Sequence, residues 1–287
     1  MAKGMRALIK LKMYNDLSLF KKDVMSFLQQ NEAENNLPLG VLHTLSEIDE
    51  LPILMAAVMK DNDIVLTLLQ TQPRQIILSK AVSLTTKDIR EIGDKLNDTF
   101  QEIPGLIGEK NFTLELAGHL AKIRGEQARV QMDQRIYKLE QVRRKATAKG
   151  KLRKIEEKEN HKITEWVYEF CKEINLPISH EEADKKAKVM IDKGSAMGWE
   201  VNGELVSMAN ATRPAKTNIT INYVYTPMNE RKKGYASDCV SALTQLMLDN
   251  GYKTTSLYTD LRNPTSNKIY MEIGYEAVMD SIVIVFN

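Results

Sequence analysis

The chain contains only two cysteines, Cys171 and Cys239, in 287 residues, so no disulfide framework is implied and a reducing compartment suits it. Long apolar runs are missing too. The longest, Leu51 to Met59, holds Pro52 and falls far short of the ~20 residues that span a bilayer, so no membrane partner is expected. The opening MAKGMRALIKLKMYND has neither the apolar core nor the cleavage site of a secretory signal, which makes the cytoplasm the expected location. His43, His119, His161 and His180 stand at no metal-ligand spacing, and no metal is expected. Charge of one sign is not in excess either. A net charge of +2 argues against a nucleic-acid partner. Lys138, Arg143, Arg144, Lys145, Lys149, Lys151, Arg153 and Lys154 do crowd together, but no aromatics interleave with them. The run reads as a solvated linker or as a polyanion site without a stacking platform.

What is present is a globular composition, 43% hydrophobic and 27% charged, in a chain long enough for two domains. The best boundary is RRKATAKG at 143–150, where apolar residues vanish; it divides a 1–142 domain from a 151–287 domain. Arg129 to Val142 ahead of it reads as a strand. Lys162 to Ile174 behind it reads as an amphipathic helix, with Ile163, Trp166, Val167, Phe170 and Cys171 at helical spacing. Each half holds two apolar runs around a turn, at Asp61–Asp63 and at Asn202–Gly203, followed by a further strand at Gln75–Leu78 and at Ile219–Tyr225. Two copies of one unit, or a chance likeness of two hairpins, would account for this.

The informative stretch begins at Asn218. NITINYVYT alternates as a strand, and a helix with Ala236, Cys239, Val240, Leu243, Leu246 and Met247 on one stripe runs to a cap at Asn250–Gly251. Between them, Arg231, Lys232 and Lys233 crowd a turn that ends on Gly234. Uncapped amides and half a positive charge at a helix start make an anion site, and three cations add to it. A tight turn with solvated charges is the equal alternative. Neither the Walker nor the dinucleotide glycine pattern occurs. Thr254 to Thr259 forms the next strand, Asn263 and Pro264 start a short helix that Gly274 ends, and Ser281 to Phe286 closes the chain as a buried strand. A strand–helix–strand crossover makes the first two strands parallel.

VYTPMNERKKGYAS resembles the coenzyme A signature of the GNAT acetyltransferase superfamily, as Arg231-x-x-Gly234-x-Ala236 directly after a strand. The family's following block is matched by Asn263, Ser266, Tyr270, Gly274 and Tyr275. The resemblance implies an α/β fold (α+β by some schemes): a mixed, mostly antiparallel sheet with a central parallel splayed strand pair, flanking helices and two similar domains. Residues 151–287 would form the acetyltransferase domain and 1–142 a degenerate copy, with Pro104–Asn111 as the nearest equivalent of the phosphate loop.

The resemblance further implies acetyl-CoA as co-substrate. Its pantetheine arm would meet the edge Val224, Tyr225 and Thr226, with the Val224 N–H as candidate carbonyl polariser. The loop amides of Arg231, Lys232, Lys233, Gly234, Tyr235 and Ala236, with Ser237, would hold the diphosphate. Asn263 and Ser266 would touch the arm from the other side, and Tyr270 would be the proton donor. No glutamate stands on the strand before the loop, so Glu200 is a speculative base. Trp199, Met208 and Tyr223 are candidates to line the acceptor cleft. The activity so implied is transfer of an acetyl group to a primary amine of a small molecule or peptide; a non-catalytic coenzyme A-binding or regulatory module is the alternative, and a polyanion-binding protein a third. Association into a homo-oligomer is compatible with each.

Overall fold

The computed structural model describes residues 8–46, 51–147 and 149–287. The first half runs β1 (Ile9–Met13), α1 (Leu17–Leu28), α2 (Asn36–Thr44), β2 (Leu54–Lys60), β3 (Asp63–Gln70), β4 (Ile76–Leu78), α3 (Thr86–Thr99), β5 (Gly105–Glu109), α4 (Lys110–Arg124) and β6 (Ala128–Leu139). The second repeats that order as β7 (Lys151–Lys154), α5 (Asn160–Glu173), α6 (His180–Asp192), β8 (Ala196–Val201), β9 (Glu204–Thr212), β10 (Asn218–Tyr225), α7 (Tyr235–Asp249), β11 (Thr254–Asp260), α8 (Pro264–Ile273) and β12 (Glu276–Phe286). The repeat of ten elements makes the two hairpins counterparts rather than a coincidence. Their turns agree in detail: Asp61 and Asn62, like Asn202 and Gly203, all have positive φ, the geometry that matches strand twist in a two-residue loop.

By contact the chain forms two compact units, residues 1–136 with 278–287, and residues 137–277. The final strand, expected in the C-terminal domain, therefore belongs to the first unit. The segment 143–150, expected as a linker, lies inside the second.

In the first unit the strands lie in the order β1-β2-β3-β4-β5-β12, antiparallel except for the parallel pair β4 and β5. Apolar residues of these strands and of α3 and α4 form one core, to which Ile282 and Ile284 of β12 contribute. In the second unit the order is β7-β8-β9-β10-β11, and only β10 and β11 run parallel. Each face of this sheet buries a separate core. Cys239, Val240 and Leu243 of α7 pack with Ile219, Ile221 and Leu257 on one face, joined by Tyr137 and Leu139 from the end of β6. Ile163, Val167, Ala183 and Ala187 of α5 and α6 pack with Leu205, Met208 and Tyr225 on the other. The α7 face carries one buried polar knot: the Tyr275 hydroxyl sits 2.8 Å from both Thr244 Oγ1 and Thr255 Oγ1.

Gly105 tests the place of β12. A Cβ built there would sit 2.2 Å from the Ile284 carbonyl oxygen, a backbone atom that cannot turn aside. Gly105→Ala should cost about 2 kcal/mol through forced separation of β5 from β12. A denaturant-unfolding curve identical to wild type would refute this pairing.

Candidate active site

β10 and β11 pair only from Asn218–Thr254 to Ile221–Leu257, yet β10 continues to Tyr225 and β11 to Asp260. They part after four residue pairs. A bulge drives the separation. The ladder between β10 and β9 loses register between Asn222 and Tyr225, and Tyr223 within it has φ of 48°. A bulge adds a residue to one strand and bends it. Beyond it, Tyr225 pairs again with Met208, so β10 stays attached to β9 while leaving β11. Val224 and Tyr225 lie on this parted length of β10, and Thr226 follows directly after it. The Ser207 hydroxyl donates to the Tyr225 carbonyl at 3.1 Å and lies 2.8 Å from Thr226 Oγ1, fixing the strand end.

The loop that follows uses Arg231 for itself. Its Nε donates to the Thr226 carbonyl at 2.8 Å, its Nη2 to Glu173 at 2.6 Å, and its guanidinium lies over the Tyr225 ring. Arg231 is therefore a strut, and its expected direct cationic role gives way to that. Lys233 is paired with Glu230 at 3.0 Å, while Lys232 is exposed and makes no ion pair among the described residues.

The backbone is the more telling part. Lys232 (φ 64°) and Gly234 (φ 85°) are both left-handed, and Gly234 caps α7 with no side chain satisfying the helix start. The first helical bond is Asp238 N–H to the Gly234 carbonyl. Among the described residues, the N–H groups of Lys232, Lys233, Gly234, Tyr235, Ala236 and Ser237 donate to nothing in the protein. Such a run of outward amides at a positive helix end fits an anion such as a diphosphate.

On the other strand, Asn263 caps α8 by accepting from Ser266 N–H at 3.1 Å. Its side-chain oxygen is thereby committed, which leaves its amide NH2. Asn267 staples this corner: its Nδ2 donates to the Asp260 and Asn263 carbonyls, and its Oδ1 accepts from Tyr137. Tyr270, one turn further on, is buried in the α7-side core, edge-on to Tyr275 at 6.1 Å. Burial, with Tyr275 adding to it, pushes its pKa up. Tyr137 and Tyr275 both have hydroxyl partners, whereas the Tyr270 hydroxyl makes no hydrogen bond among the described residues.

Two expectations are corrected, that for Glu200 and that for Trp199 with Met208. Glu200 on β8 is held by Arg153 Nε at 2.5 Å and Lys151 at 3.2 Å, and these cations keep its carboxyl below the usual range. Its lone pairs serve the β7–β8 junction, which makes it a poor base. Trp199 and Met208 are buried core residues, not cleft linings, and Trp199 Nε1 is spent on the Lys149 carbonyl. Tyr223 packs at 5.1 Å against Phe170 on α5, and burial pushes its pKa up to about 12. Sequence reasoning also passed over Asp238, buried in the first turn of α7. It accepts from Thr147 N–H at 3.2 Å and Thr147 Oγ1 at 2.6 Å, a pair 91 residues apart that no short-range pattern marks.

In the first unit, element order makes the β4–α3 connection the counterpart of this loop; Pro104–Asn111 instead matches the β11–α8 corner. The counterpart is closed. Thr85 caps α3 by accepting from Asp88 N–H, and Asp88 accepts from the Thr85 N–H and hydroxyl at 2.8 Å each. Burial alone would raise the Asp88 pKa; the Lys60 ammonium 2.8 Å away and the Thr85 bonds outweigh it and bring it to about 2. Glu109 likewise caps α4, accepting from Asn111 and Phe112 N–H groups. Both helix starts are occupied by the protein's own carboxylates.

Among the described residues, no group of three or more metal-ligating side chains forms, and no helix is long and apolar enough to cross a membrane. No curated protein matches the chain. Its fold is similar to a GNAT-family acetyltransferase from Colwellia psychrerythraea (TM-score 0.62, 11% identity, 97% of this chain and 100% of that one). It is similar also to a GCN5-related N-acetyltransferase from Sphaerobacter thermophilus (TM-score 0.62, 12% identity, 96% and 94%). A tandem GNAT protein of the clavulanic acid biosynthesis pathway aligns over 98% of both chains at TM-score 0.54 and 9% identity. The acetyltransferase (GNAT) family model matches residues 160–275, the stretch that holds the parted strands, the open helix start and Tyr270. The second unit of this chain therefore contains the stretch, residues 160–275, that is similar to the acetyltransferase (GNAT) family.

Proposed function

We propose that the protein is an acetyl-CoA-dependent N-acetyltransferase acting on a primary amine of a small molecule or peptide. The observation that carries this reading is the parting of β10 from β11 immediately before a helix start whose amides the protein leaves open. Acetyl-CoA, as co-substrate, supplies an activated thioester. The amides of Lys232 to Ser237 hold its diphosphate, with Lys232 adding charge. The freed edge from Val224 to Thr226 orients the pantetheine arm, and the Val224 N–H polarises the carbonyl. Asn263 NH2 and Ser266 face the arm from the α8 side. As the C–N bond forms and the C–S bond breaks, Tyr270 donates its proton to the departing sulfur.

Glu200 takes no part, since its carboxyl is already bound by two cations. The amine that attacks is therefore the neutral form, with its surplus proton leaving through solvent. The non-catalytic alternative predicts coenzyme binding without turnover, and the open Tyr270 hydroxyl favours catalysis. The first unit, its helix starts closed by Asp88 and Glu109, binds no coenzyme in this reading, and the chain works in the cytoplasm.

Acetyl-CoA consumption with an amine panel tests the reading; a folded protein that turns over none of the amines refutes catalysis. Tyr270→Phe should lower kcat about 10²-fold, the lower end of general acid catalysis, with little change in coenzyme affinity. Unaltered turnover in the variant would remove Tyr270 from the mechanism.

The pH dependence has a defined sign. Tyr270 must be protonated to act, and burial raises its pKa, so it stays competent throughout neutral and mildly alkaline conditions. Rate should therefore climb with pH as the amine deprotonates. A fall in kcat between pH 7 and 9 would contradict it.

Gly234→Ala should weaken coenzyme A binding and cost about 1 kcal/mol of stability, because φ of 85° disfavours any side chain and relaxation turns the amides away. Calorimetry and thermal unfolding read the two effects separately; wild-type values in both would show that the left-handed cap is not required.

A further inference from the structure

The basic segment between β6 and β7 is not a loose linker. It is a strap fastened across the starts and ends of two helices in the second unit. Arg143 N–H donates to the Ile273 carbonyl at 2.8 Å, Ser241 Oγ donates to the Arg144 carbonyl, and Thr147 donates twice to Asp238. Trp199 Nε1 holds the Lys149 carbonyl at 3.0 Å, and Val142 and Ala146 pack on the α7-side core. Four charges of the run are matched: Lys138 with Glu140, Arg143 with Glu276, Lys151 with Glu200, and Arg153 with Glu200 and Glu159.

Arg144 differs. A Cβ built on Gly234 would lie 3.9 Å from its Nη2, so the guanidinium sits beside the open helix start. Its nearest carboxylates, Asp238 and Glu272, are each 3.9 Å away, too far for hydrogen bonds. None of its five N–H donors is hydrogen-bonded among the described residues, whereas Arg153 makes four such bonds and Arg231 two. Its side chain is one-third exposed and its backbone is pinned on both sides.

We propose that Arg144 binds a phosphate of coenzyme A, supplying from the strap the forked cation that Arg231 cannot supply because the loop uses it as a strut. This rests on the acetyltransferase reading of the same site. A guanidinium fork suits a phosphate oxygen pair, and a pinned backbone means little freedom is lost when it engages. The strap is thereby part of the coenzyme site, and Thr147, Asp238 and Ser241 are its positioning residues.

Calorimetric titration of the full chain with coenzyme A tests this without any turnover. Arg144→Gln should weaken binding about tenfold, the loss of one charge-assisted contact. Arg143→Gln, on the same strap but facing Glu276, should stay close to wild type. Arg144→Lys keeps the charge and loses the fork, so it should fall between, which guards against reading a folding defect as lost affinity. Titration with 3′-dephospho-coenzyme A identifies the group: loss confined to coenzyme A assigns the 3′-phosphate, and equal loss with both ligands assigns the diphosphate. Wild-type affinity in Arg144→Gln overturns the inference and leaves the acetyltransferase reading intact. Failure of the wild-type chain to bind either ligand overturns both.

Discussion

Backbone amides withdrawn from other backbone must find partners, and in the second unit two successive stretches are held away from any. One is the edge of β10 after Ile221; the other is the helix start from Lys232 to Ser237. Neither would stay open unaided. Two parallel strands left alone continue to pair, and a helix start left alone attracts a Ser, Thr, Asp or Asn cap. Much of the local structure prevents those outcomes. The bulge at Asn222–Tyr225 bends β10 away while the Tyr225–Met208 pair keeps it in the sheet. Arg231 ties the loop back to the end of β10 at Thr226 and to Glu173 of α5. Asn267 pins the α8 corner to the end of β11. Gly234 enters α7 from a conformation that brings no capping side chain with it.

The first unit supplies the internal control for this argument. It has the same order of elements and the same parallel pair, but β4 is three residues long and leaves no free edge beyond its partner. Where the second unit has Gly234, the first has Thr85, whose capping box fills the helix start with a hydroxyl and a carboxylate. An incoming phosphate would have to displace the Asp88 carboxylate, which Lys60 and two Thr85 bonds hold. The same backbone plan is thus an anion site or a closed turn, according to a few side chains at one helix start.

Those side chains explain what could be read from the chain alone. The paired blocks around Arg231–Ala236 and Asn263–Tyr275 are local, and short-range rules for turns, caps and alternation place them on the correct elements. Asn-Gly at 202–203 and Asn263-Pro264 mark their turn and cap for the same reason. Long-range partners escaped. Nothing near Arg231 in sequence tells of Glu173, and nothing near Thr147 tells of Asp238. The segment 143–150 reads as a linker because its apolar content is low. Its order comes from backbone carbonyls and amides bonded to distant helices, which composition does not register. The final strand reads as a strand from its own residues, but its partner β5 lies far back in the chain. Pro104–Asn111 reads as the phosphate-loop counterpart because of its glycines, although Gly105 is there to admit the Ile284 carbonyl.

A buried aspartate one turn into α7 sits oddly beside an anion site, since a carboxylate there competes for the same helix dipole. The geometry resolves the conflict. Asp238 accepts the Thr147 amide and hydroxyl of the strap, so its charge is spread over two donors. The Arg144 guanidinium stands near both, its Nη2 3.9 Å from Asp238 Oδ1 and 3.9 Å from where a Cβ on Gly234 would lie, so it offsets the carboxylate without being hydrogen-bonded to it. A positive group therefore stands beside both the fixed anion and the place where a mobile one would arrive. Removing Asp238 would not simply improve the field at the helix start. It would release the strap at Thr147 and with it the cation, so the buried acid and the open amides are parts of one arrangement rather than competitors.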